Sequence, residues 1–160
     1  MTTRRAARRE PGPGTLAATT QEVVVRAVVV LGLAVDAYIH LRMAPVMDIA
    51  APGGVGGGTL FRAQGTAAAV AGLVLLVRPR WWTYALAALV ALSALGPSLL
   101  YHFVDVPAIG PVPSMHDPLW SPEKVVSLLG EALAAGFGLW GMAMTSPRRR
   151  QQEPRVLSHH

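Results

Sequence analysis

The stretch from Glu22 to Met43 sets the strongest constraint on the fold. It holds an apolar run, Val23 to Ala34, broken only by Arg26, and its continuation is long enough to cross a membrane as a helix. Near its far end the run carries Asp36-Ala-Tyr-Ile-His40. A spacing of four residues puts the acid and the imidazole on one helix face. A membrane helix keeps such groups only where they face other helices or water and find partners, so the pair predicts a polar site inside a helical bundle.

Composition supports a membrane class. Of the 160 residues, 52% are hydrophobic and only 14% charged, which is too apolar for an ordinary soluble domain. The chain has no cysteine, which excludes disulfides, thiol nucleophiles, thiolate zinc sites, iron–sulfur clusters and cysteine-attached haem. The net charge of +5 comes mostly from arginines in the tails and beside the apolar spans. There they meet lipid head groups rather than nucleic acid.

Taken in order, residues 1–21 carry Arg4, Arg5, Arg8 and Arg9 and then Pro11-Gly-Pro-Gly14, which reads as a disordered basic tail. Val35 and Ala37 offer a signal-peptidase pattern. The apolar segment runs past it to Leu41, longer than a usual secretory h-region, so an uncleaved anchor is expected.

The transmembrane domain is expected over 22–145, with helices at about 23–43, 60–77, 82–104 and 122–145. Pro45 would end the first. The run Gly53-Gly-Val-Gly-Gly-Gly58 lacks the lysine of a phosphate-binding loop and any βαβ context, so it reads as a flexible connector. Gly65, Ala68, Ala69 and Gly72 in the second span, and Ala134, Gly138 and Gly141 in the fourth, are small residues that allow close helix approach or the docking of another membrane chain. Trp81-Trp82-Thr-Tyr84 forms an interfacial aromatic cluster at the start of the third span, and Pro97 predicts a kink in that span. Pro107, Pro111, Pro113 and Pro118 stiffen the second long loop. Ser121-Pro122-Glu123 is a strong helix start, and 146–160 forms a basic polar tail ending in His159-His160.

The basic residues set an orientation. Arg4, Arg5, Arg8, Arg9, Arg26, Arg78, Arg80, Arg148, Arg149, Arg150 and Arg155 fall on one side, against Arg42, Arg62 and Lys124 on the other. The positive-inside rule then puts both termini in the cytoplasm and the two long loops outside. The expected fold class is all-α: a four-helix transmembrane bundle of the cytoplasmic membrane, in contact with the lipid bilayer.

Asp36, His40, Gln64, Ser98, His102, Ser127 and Glu131 then form a polar layer in its outer half. Asp36 is about 10 Å below the outer end of the first helix and Glu131 about 12 Å below that of the fourth. The layer admits several roles. It can clamp the helices, at about 1 kcal/mol or less per contact, or it can line an outward pocket for a small ligand, ion or proton. His40 and His102 can serve haem as axial ligands. Met43, Met47, Met115 and His116, with the same histidines, offer soft ligands to copper(I). No catalytic signature is present, although Asp36, His40 and Glu131 are types suited to acid–base work. A homo-oligomer or a role as accessory subunit is compatible with each of these.

Asp36-x-x-x-His40-Leu-x-x-Ala-Pro45, Val104-Asp-Val106 with Pro111-Val-Pro113, and Glu123-Lys124 together resemble the small, uncharacterised four-span membrane proteins of high-GC Gram-positive bacteria. In size and layout the chain also distantly resembles the DoxX-like group. The resemblance implies a fold and a membrane location and assigns no catalytic residue.

Overall fold

The computed structural model describes residues 13–147, with side chains from Thr19 onward. The described residues form a four-helix bundle: α1 (Pro13–Ala50), α2 (Gly57–Val77), α3 (Trp81–Phe103) and α4 (Pro122–Thr145). All four are long and apolar enough to span a membrane. Short or hairpin-like connections make successive helices antiparallel neighbours. α1 also packs along α4, which closes the bundle, while the diagonal α1–α3 contact is slight.

Its surface is lipid-like, with Leu31, Leu73, Leu89, Leu129 and Trp140 exposed. The inside is built from small residues, because helices gain little from burying leucine when lipid is as apolar as protein and gain more from close backbone approach. Gly65, Ala68 and Gly72 are buried on α2, whereas Ala69 is exposed. A Cβ at Gly65 would lie 3.1 Å from the Ala37 carbonyl oxygen of α1. Ala134, Gly138 and Gly141 face inward as well. Ala134 lies against Gly32, Gly138 against Ala88, and Gly141 against the Tyr84 ring. Gly65, Ala68 and Gly72 of α2 and Ala134, Gly138 and Gly141 of α4 are therefore occupied by packing within the bundle.

The first helix departs most from expectation. It has 38 residues rather than the 23–43 segment, and Pro45 lies inside it. A proline without an N–H forfeits one backbone bond, and a helix supported by neighbours tolerates that loss. Here the support is the start of α2. Gly58 sits against Asp48 and the Ala44 carbonyl, Gly57 packs on Ala51 and Met47, and Gly57 N donates to the Ala51 carbonyl at 2.9 Å. At about 1.5 Å per residue α1 is about 57 Å long, which exceeds a hydrocarbon core of about 30 Å, so it projects beyond the bilayer. The expected disordered tail is helical from Pro13 onward. The rest of that tail, residues 1–12, and residues 148–160 of the C-terminal tail lie outside the described residues.

The glycine run does more than connect. Gly57 and Gly58 belong to α2, and the remaining loop docks on the proline loop. Val55 N donates to the Pro111 carbonyl at 2.8 Å. Gly54, at φ 55°, lies so close to Pro111 that a Cβ would collide with its carbonyl. α3 passes through Pro97 without a break. At its start the Arg80 N–H donates to Thr83 Oγ1 at 3.0 Å. α4 starts with Ser121 Oγ accepting from Lys124 N at 3.1 Å and Pro122 in the first turn.

Candidate functional site

Four of the buried polar residues, Asp36, His40, Ser127 and Glu131, gather in one group, apart from Thr83 and His102. Asp36 and Glu131 are both 0% exposed, and His40 is 7% exposed. Two spacings of four residues build the site. Asp36 and His40 share the inner face of α1, and Ser127 and Glu131 share that of α4. The helices are brought together beside them by glycine: Gly32 and Gly130 meet backbone to backbone, one helical turn below Asp36 and one residue before Glu131. One ligand-type atom from each of Asp36, His40 and Glu131 lies within 4.8 Å of the other two.

The two carboxylates are held unequally, Asp36 at both oxygens and Glu131 at one. Asp36 Oδ2 accepts from Gln64 Nε2 at 3.0 Å. Its Oδ1 is buried against His40 Nδ1 at 2.5 Å, an ion-pair contact within one turn of α1, and the same nitrogen lies 3.1 Å from the Asp36 carbonyl. Glu131 Oε1 accepts from Ser127 Oγ at 2.7 Å, and Oε2 is buried without a partner. Among the described residues, no lysine or arginine pairs with either acid. The His40 ring is steadied by Phe61, whose centroid is 4.8 Å away.

Gln64 ties three helices together. Its Nε2 donates to Asp36 of α1 and to the Val90 carbonyl of α3 at 3.0 Å, and its Oε1 accepts from Ser93 Oγ at 3.1 Å. Ser93 thus takes the place expected of Ser98, whose side chain makes no hydrogen bond among the described residues. Depth distinguishes the two. Ser93 is ten residues from the Phe103 end of α3, about 15 Å, and Glu131 is nine from Pro122, about 14 Å, whereas Ser98 is only about 8 Å deep. Depth counted on α1 misleads in the opposite direction. Fourteen residues separate Asp36 from the true helix end at Ala50, about 21 Å rather than 10 Å.

His102 and His116 belong elsewhere. His102 is buried beneath the proline loop, its ring 4.0 Å from that of Trp120 and its Nδ1 3.3 Å from the Asp117 carbonyl. His116 Nδ1 lies 2.9 Å from the Tyr101 carbonyl. Lys124 Nζ is 2.6 Å from Asp117 Oδ2 and donates to the Leu119 carbonyl at 2.9 Å. These contacts strap the loop to α3 and α4. Partial burial acts to raise the Asp117 carboxyl, but the Lys124 ammonium and the Leu119 N–H outweigh it and hold the carboxyl below its ordinary value. Met47 packs against Gly57, and Met43 and Met115 are half-buried. The one group of histidines and acids among the described residues close enough to share an ion is Asp36, His40 and Glu131.

No protein-family profile, curated protein or solved structure matches this chain. The site must therefore be read from its own chemistry.

Proposed function

We propose that this multi-pass membrane protein binds a small cationic ligand in the layer formed by Asp36, His40, Gln64, Ser127 and Glu131. The observation that carries the reading is the pair of fully buried carboxylates gathered around a single imidazole, with Glu131 Oε2 left without a partner. A purely structural clamp satisfies its polar groups, because an unmet buried oxygen costs about 1–3 kcal/mol. Two acids facing one base leave room for positive charge from outside the chain. The lysine and arginine count puts both termini in the cytoplasm, so the ligand would enter from the outer side beneath the two docked loops. His40, slightly exposed, is the rim of the site.

The test is the sign of one substitution. Glu131→Gln keeps the side-chain shape and the Ser127 contact while removing an acid from a crowded anionic site. Binding sites of this kind are held at some expense to stability, so the ligand-free variant should unfold at or above the wild-type temperature in detergent. A fall in midpoint would identify a clamp and end the binding reading. Haem and copper(I), the other ligands the histidines and methionines suggest, are checked on the same preparation by absorbance near the Soret band and by copper content.

A further inference from the structure

The carboxylates of Asp36 and Glu131 are arranged as metal ligands usually are, with one oxygen of each fixed by a neighbour, while the other lies against His40 in Asp36 and is unpartnered in Glu131. Gln64 Nε2 holds Asp36 Oδ2, Ser127 Oγ holds Glu131 Oε1, and one oxygen of each carboxylate lies within 4.8 Å of the other and of a His40 ring nitrogen. Outer hydrogen bonds of this kind orient ligands before an ion arrives. Glu131 Oε2 is fully buried with no partner to satisfy it, and Asp36 Oδ1 meets the His40 imidazole.

We propose that Asp36, His40 and Glu131 form a binding site for a divalent first-row transition-metal ion, with Gln64 and Ser127 as positioning residues. This rests on the binding reading above and specifies its ligand. Charge favours a divalent ion, because two carboxylates and a neutral imidazole are neutralised by a 2+ cation. Donor type favours the same class: two oxygens and one imidazole nitrogen suit manganese, iron(II), cobalt or zinc, whereas copper(I) prefers sulfur. Size is compatible. Two ligands each about 2.1 Å from one ion are at most about 4.2 Å apart. The outermost pair, at 4.8 Å or less, therefore closes with a shift of about 0.6 Å or less, within the reach of a small χ rotation.

The experiment uses Co2+ as probe and the full chain in detergent, purified without an affinity tag and with His159 and His160 replaced by alanine so that the tail offers no imidazole. Wild type should bind one equivalent of Co2+ and develop d–d absorption in the visible range. Glu131→Gln and His40→Gln should weaken binding by a hundredfold or more. Ser127→Ala and Gln64→Leu should weaken it tenfold to a hundredfold while retaining the one-to-one stoichiometry and a d–d spectrum. His102→Ala should leave affinity and spectrum unchanged.

Circular dichroism confirms folding in each case. If Glu131→Gln does not fold, His40→Gln carries the same comparison. Folded wild type that binds no Co2+, Zn2+ or Mn2+ overturns the metal assignment, as does Co2+ binding that survives both ligand substitutions. Either result, combined with a Glu131→Gln midpoint at or above wild type, removes the metal and leaves the cationic-ligand reading standing. A lowered midpoint without metal binding removes both.

Discussion

A close backbone approach of α1 and α4 lies directly under the site, and a single methyl group tests it. A Cβ at Gly32 would stand 2.5 Å from the Gly130 carbonyl oxygen and 3.0 Å from Ala134 Cβ. Ordinary contact begins at 3.4 Å, so the backbones of α1 and α4 must part by up to about 0.9 Å, because a carbonyl in the middle of a helix cannot rotate away. Overpacking of this kind costs about 1–3 kcal/mol, offset by at most about 1 kcal/mol from alanine's better helix propensity. Gly32→Ala should therefore lower the unfolding midpoint, measured by circular dichroism in detergent. Gly136→Ala on α4 is the control, since nothing lies within 4 Å of the added methyl and the substitution should be neutral or stabilising. The separation would fall one turn below Asp36 and beside Glu131, so Gly32→Ala should also weaken ligand binding. Equal midpoints for the two alanine variants would refute the close-contact argument.

Other outcomes follow from the same geometry. Ser93→Ala should destabilise the bundle by about 0.6 kcal/mol by releasing Gln64 Oε1, whereas Ser98→Ala should be silent in the same melt. The Asp117 carboxyl is held below its unfolded-state value, so its contribution is fully present above that value and is lost as pH falls through the depressed folded one. Acid titration should then loosen the proline loop, read from Trp120 fluorescence as the difference between wild type and Trp120→Phe. Lys124→Met should move that transition to higher pH. A transition unmoved by Lys124→Met would show that the ion pair does not hold the loop.

The sequence alone determined the class and the principal chemistry. Four apolar spans allow no other fold for a backbone that must satisfy its own hydrogen bonds in lipid. Acids and an imidazole at helical spacing had to face inward, so Asp36, His40, Ser127 and Glu131 were legible in advance. Helix ends were less legible. Pro45 looked like a terminator because local propensity was the only guide, and it is overridden by Gly57 and Gly58, which let α2 support α1 past the proline.

Only the tertiary structure decided which polar groups meet. His40 and His102 both lie toward the same end of the bundle, yet one faces two acids and the other braces a loop, because relative helix rotation is set by glycine contacts distant in sequence. The same rotation chose Ser93 over Ser98 and turned the small-residue face of α4 inward. Above all, it left one oxygen of the buried Glu131 carboxylate unmet. Sequence can name the residues of such a site, but an orphaned oxygen is a property of packing.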